Sequence, residues 1–76
     1  MNAKRRKLLT KVIFYVDSAL SLLDEARDYE QDALDNIPEN LQDGELYEKI
    51  EQAIENLDSA IDSLSDGEAS IRNAME

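Results

Sequence analysis

The chain has 76 residues, with eight basic and eighteen acidic side chains and neither cysteine nor histidine. Disulfides and the usual structural metal sites are therefore excluded, and association with another chain is the reinforcement that remains for so small a core. The commonest general base and the strongest nucleophile are also missing, as are the histidines of a di-iron bundle, so we expect a protein that is not an enzyme and needs no cofactor or metal.

The basic residues are concentrated at the start of the chain. Positive charge opposes the dipole at a helix N-terminus, so residues 1–6 are predicted to be a basic tail. Pairing with the acidic body of a neighbouring subunit and contact with phosphate remain as alternatives. All acidic residues lie from Asp17 onward and repel nucleic acid. Nucleic acid could bind only through the cluster of Lys4, Arg5, Arg6 and Lys7.

The first predicted helix spans about residues 7–36. Lys11 and Asp17 limit its unbroken apolar run to five residues, too short for a signal peptide or a membrane span. We therefore expect a cytoplasmic protein with no membrane contact.

This helix carries apolar residues on two adjacent seams. The first seam, interrupted by Arg27 and Glu30, consists of Leu9, Ile13, Val16, Leu20, Leu23, Leu34 and Ile37. A helix that is apolar over much of its circumference is buried on more than one side. The helix is thus predicted to contact a second chain through the second seam, which consists of Leu8, Val12, Tyr15, Ala19, Leu22, Ala26, Tyr29 and Ala33.

Residues 37–43 are predicted to form the turn. Pro38 pushes the preceding residue out of the helical region, and Asp43 is a plausible N-cap for the next helix. Ile37 and Leu41 are expected to close the end of the core. The tip could alternatively bind a partner; it consists of Asn36, Ile37, Pro38, Glu39, Asn40 and Leu41.

The second helix is predicted over about residues 44–73. Its heptad seam consists of Tyr47, Ile50, Ile54, Leu57, Ile61, Leu64, Ile71 and Met75, with Glu68 in the one missing place. Because Ile71 and Met75 stay in phase across Gly67, we expect the helix to continue through this glycine. A flanking stripe at intervals of seven would let another helix approach closely; it consists of Leu46, Ala53, Ala60, Gly67 and Ala74.

Polar residues inside the seams are predicted to form a polar core layer. Glu30 should meet Arg27 along its own helix and Lys49 across the hairpin, while Glu68 should face Lys11. Such layers fix register and partner choice at a cost in stability.

Together these features predict an all-α fold, in which residues 1–76 form one antiparallel two-helix hairpin that dimerises into a four-helix bundle. The self-association residues are predicted to be Leu8, Val12, Tyr15, Ala19, Leu22, Ala26, Tyr29, Ala53, Ala60 and Gly67.

The strings DNIPENLQ and YEKIEQAIENLDSAIDSL resemble a group of short, acidic, uncharacterised helical proteins of low-GC Gram-positive bacteria and their phages and mobile elements. These relatives often carry Ser where this chain has Asp43 and Gly44. The resemblance implies a bacterial cytoplasmic or phage context but no activity. We expect a small interaction or structural protein, with an unidentified protein partner besides the homodimer; the alternative is an acidic DNA mimic that inhibits a nucleic-acid-processing enzyme.

Overall fold

A computed structural model describes all 76 residues and contains only helices. Helix α1 spans Ala3–Asp35, a short 3-10 turn spans Glu39–Leu41, and helix α2 spans Glu45–Ala74. The two long helices pack against each other as an antiparallel hairpin with extents of 59 × 15 × 12 Å. The predicted all-helical hairpin is therefore confirmed.

Helix α1 begins earlier than the sequence pattern suggested. The Asn2 side chain accepts a hydrogen bond of 2.9 Å from the Arg5 backbone N–H, so it caps the first turn. The Arg6 guanidinium donates to the Met75 carbonyl oxygen across the hairpin, also at 2.9 Å. The residues predicted to be a loose basic tail are therefore helical from Ala3, because a side-chain cap and a contact to the end of α2 offset the unfavourable dipole.

The connection between the helices is a series of tight turns. The Ile37 backbone N–H bonds to Leu34, the Leu41 N–H to the Pro38 carbonyl at 2.9 Å, and the Gly44 N–H to Leu41 at 3.1 Å. The N-cap of α2 is Gly44 rather than Asp43, and no side chain caps this end. A Cβ atom at Gly44 would lie 3.1 Å from the Leu41 oxygen, so the close approach of the two backbones favours glycine at this position.

The core runs along the first seam of α1 and the heptad seam of α2. Every position of both seams is buried or half-buried, including the positions of Arg27, Glu30 and Glu68. Only Ile13 and Ile54, each 8% exposed, are buried outright. A single pair of helices thus buries only two side chains outright and leaves several large apolar side chains exposed.

Helix α2 continues through Gly67 to Ala74, as the phase of Ile71 and Met75 indicated. Nothing lies within 4 Å of the position that a Cβ of Gly67 would occupy. Packing within the hairpin therefore does not require a glycine here.

Candidate protein-protein interface

The second seam of α1 lies uncovered on the surface of the hairpin. Its bulky residues Leu8, Tyr15, Leu22 and Tyr29 are 57%, 69%, 66% and 68% exposed, and Val12 is 40% exposed. Of the whole seam, only Ala19 is half-buried. A regular row of large apolar side chains along one helix is the kind of contiguous patch that marks an interaction surface.

The ion pairs between the two helices lie on the side of the hairpin opposite the second seam. Arg27 on the core line bonds to Asp58, and Arg72 lies 4.0 Å from Asp17. Asp17, Asp58 and Arg72 each follow a core position by one residue. Residues that precede the core positions, among them the alanines of the second seam and the small-residue stripe, consequently lie on the other side of the hairpin.

A groove at the turn end shows that this other side is shared by both helices. Its volume is about 340 Å³, and its lining includes Ala33 of the second seam and Leu46 of the small-residue stripe. Ile37, Pro38 and Leu41 complete its apolar part. The second seam and the small-residue stripe therefore border one continuous face, which we call the apolar face.

On the α2 side of the apolar face, the small-residue stripe presents mostly short side chains. Ala53 and Ala60 are half-buried, whereas Gly67 and Ala74 are exposed. No bulky side chain stands between them, so a helix from another molecule could approach the α2 backbone closely. The residues predicted for self-association therefore lie on one face of the hairpin.

The predicted polar core layer differs from the observed one. Arg27 donates through Nε to the Asp58 carboxylate at 2.5 Å, and this hydrogen bond raises the pKa of the guanidinium further. Glu30 is half-buried but makes no ion pair, because Lys49 lies outside the seam. The Lys49 side chain is 72% exposed, and its ammonium lies 3.6 Å from the Glu45 carboxylate, one turn back along its own helix.

Glu68 does belong to the core line, with its side chain only 13% exposed, but it does not meet Lys11. Arg72 Nη2 donates to it at 2.8 Å from one turn along α2. This hydrogen bond, together with one from Asp17, lowers the pKa of Glu68. The pKa of Asp17 is raised by its hydrogen bond with Glu68, by partial desolvation and by the repulsion between the two carboxylates.

The basic residues at the start of α1 form a cluster beside the apolar face. Lys4, Lys7 and Lys11 surround Leu8, the first residue of the second seam. None of these lysines forms an ion pair within the chain. Their charge is therefore available to a partner at the open end of the hairpin.

The tip residues are divided between the core and the surface. Ile37 is half-buried and helps to close the core, as predicted, whereas Leu41 is 56% exposed because the 3-10 turn directs it outward into the groove. Asn36 ends α1, and Glu39 and Asn40 are exposed within the turn.

One exposed aromatic residue was missed by the sequence analysis. Phe14 is 67% exposed and makes an edge-to-face contact with Tyr15, their ring centroids 5.7 Å apart. It lies on neither seam, and its neighbours one and two heptads along are Ser21 and Asp28. No periodic signal marks it, because the surrounding heptad positions are polar.

Neither helix has a segment with the length and hydropathy needed to cross a membrane. No group of three or more acidic side chains is arranged to hold a metal ion. Comparisons with protein families, curated proteins and solved structures found no match to this chain.

Proposed function

We propose that this chain is a small, non-enzymatic interaction protein that self-associates through the apolar face into a four-helix bundle. The observation that carries the proposal is the exposure of the bulky second-seam residues, which leaves a row of Leu and Tyr side chains along α1 facing solvent in the single hairpin. A second copy would cover that row and supply the core that one pair of helices lacks.

The dimensions of the hairpin support a second copy as the occupant. A face 59 Å long and 15 Å wide offers about 900 Å² per molecule, close to the approximately 800 Å² that each partner contributes to a standard interface. Tyrosine, which supplies two of the bulky residues, is enriched at the centres of such interfaces.

Charge separates this proposal from DNA mimicry. The body from residue 12 onward carries a net charge of −15, from three basic and eighteen acidic residues. Over a hairpin 59 Å long, this is about one net negative charge per 4 Å, against about one per 1.7 Å of duplex DNA. The charge density of one hairpin therefore favours a structural or adaptor role over imitation of DNA.

Light scattering on the wild-type chain and on the double variant Tyr15→Glu/Leu22→Glu tests self-association. We expect a wild-type mass of twice 8.6 kDa and a monomeric variant, because four buried carboxylates per dimer would be desolvated without partners. A wild-type monomer across the micromolar range would refute the proposal.

Phe14→Glu is the matched control. Phe14 is as exposed as Tyr15 but lies on a different side of α1. The control should remain a dimer; if it dissociates as readily as the double variant, the effect is one of added charge and not of the apolar face.

A further inference from the structure

The heptad positions that border the second seam on its outer side carry a graded charge. Lys4, Lys11, Ser18, Glu25 and Asp32 recur at intervals of seven, so they form one line along α1. Each of the first four lies one helical turn before a bulky residue of the second seam, and residues at this spacing are neighbours on a helix surface. All five are exposed, and none forms an ion pair within the chain.

The line is antisymmetric about its centre. Two cations lie toward the N-terminus, two carboxylates lie toward the turn, and the neutral Ser18 lies between them. The lysine end is grouped around Leu8, at the start of the apolar face. Its opposite end approaches Tyr29, the last bulky residue of the second seam.

We propose that two copies pair with their α1 helices antiparallel, related by a two-fold axis near Ser18, so that each copy sets its cationic end against the anionic end of the other. This inference rests on the self-association proposed above. Lys11 of each copy then lies opposite Glu25 of the second copy, and Lys4 lies opposite Asp32.

A parallel pairing of the same helices would oppose lysine to lysine and carboxylate to carboxylate. Like charges across an interface penalise the wrong arrangement, and complementary charges steer the right one. The gradient thus selects the antiparallel dimer even where exposed ion pairs add little to its affinity.

The apolar side chains fit the same arrangement. With the two-fold axis near Ser18, Tyr15 lies within one residue of the level of Leu22 of the second copy, and the two copies of Ala19 lie beside the axis. The same two-fold axis sets the small-residue stripes of the two α2 helices against each other, which permits the close approach that a stripe of alanine and glycine allows.

Thiol cross-linking distinguishes the arrangements, because the chain has no native cysteine. In the antiparallel dimer the two Lys4 positions are 28 residues apart along the paired helices, or about 42 Å at 1.5 Å per residue. With a short bifunctional thiol reagent, Lys4→Cys alone should give no covalent dimer. A mixture of Lys4→Cys and Asp32→Cys should give the mixed covalent dimer, identified by its mass.

The wild-type mass keeps the two proposals separate. If light scattering shows a dimer, then covalent coupling of Lys4→Cys to itself, or failure of the mixture to couple, overturns the antiparallel arrangement and leaves self-association intact. A monomeric wild-type chain overturns both.

Discussion

Arg27 and Asp58 join the middle of α1 to α2 through an ion pair in which Nε and Oδ1 are 2.5 Å apart. Arg27 occupies a position of the first seam, between Leu23 and Leu34, where a continuous core would have an apolar residue. Its guanidinium points away from the core line and binds the Asp58 carboxylate on the side of the hairpin opposite the apolar face. This contact gives the hairpin a register without leaving a buried charge unpaired.

Removing the Asp58 carboxylate should lower the stability of the hairpin only slightly but should make the alignment of α1 with α2 less specific. The two side chains are 32% and 48% exposed, so solvent screens their attraction. We expect Asp58→Ala to lower the thermal midpoint slightly and Arg27→Leu to raise it, because leucine completes the seam. Thermal unfolding followed by circular dichroism measures both; a higher midpoint for Asp58→Ala would show that the pair opposes folding.

Glu30 is the polar seam residue that lacks an ionic partner. Replacing it with leucine should bury additional apolar surface at a half-buried position, a gain of about 1 kcal/mol in the free energy of unfolding. For a chain of this size, that gain corresponds to a thermal midpoint about 4–8 °C higher.

The control for Glu30→Leu is Asp28→Leu, since Asp28 is exposed on the polar side of the same helix. The control should not be stabilised. Light scattering on Glu30→Leu should reveal a broader distribution of oligomers, because a polar residue in a seam restricts pairing. A large loss of stability would instead show that the Glu30 carboxylate makes a favourable contact.

The two glycines should respond oppositely to alanine. Gly67 lies within α2 with open space around its missing Cβ, so Gly67→Ala should stabilise the helix by about 0.5–1 kcal/mol. Gly44→Ala would place its Cβ 3.1 Å from a backbone oxygen and should destabilise the turn. Urea unfolding of both variants checks the contrast, and a destabilised Gly67→Ala would indicate that another chain packs tightly on this glycine.

The charge gradient along α1 predicts that reversing one charge weakens the dimer and that reversing the opposing charge as well restores its affinity. Glu25→Lys would oppose Lys11 of the second copy at two symmetric sites, and we expect dissociation to become roughly tenfold easier at low salt. Asp28→Lys, which makes the same change in net charge on the polar side, should have a smaller effect.

Adding Lys11→Glu to Glu25→Lys restores opposite charges across the interface and should recover the wild-type dissociation constant. Analytical ultracentrifugation at several ionic strengths measures each constant. If the double variant is weaker than either single variant, these residues do not face each other.

The first seam of α1 and the heptad seam of α2 could be predicted from the sequence because their period of three and four residues has only one helical interpretation, and every position assigned to these two seams is buried or half-buried. The start of α1 could not, since it depends on the Asn2 side chain and on the contact of Arg6 with Met75, a residue remote in sequence. The predicted ion pairs joined residues at the same height along the two helices. The observed partners depend also on which side of the seam each residue lies. Lys49 for this reason meets Glu45 and not Glu30.

The Asp17 and Glu68 carboxyls make the stability of the open end depend on pH in opposing ways. The pKa of Asp17 is raised in the folded chain, so its contribution is present at low pH and is lost as the pH rises through the raised pKa. The pKa of Glu68 is lowered, so its contribution is present above the ordinary glutamate range and is lost as the pH falls through the lowered pKa. At neutral pH, only the Asp17 term opposes folding.

Asp17→Asn removes that repulsion and keeps a polar group that can donate a hydrogen bond to Glu68. We therefore expect a higher thermal midpoint than wild type at pH 7 and a smaller difference as the pH falls through the raised pKa of Asp17, where the wild-type carboxyl binds its proton. Asp24→Asn is the control, because Asp24 is exposed, lies one heptad after Asp17 on α1 and gives the same change in net charge. Equal stabilisation by both variants at pH 7 would attribute the effect to net charge and not to the contact between Asp17 and Glu68.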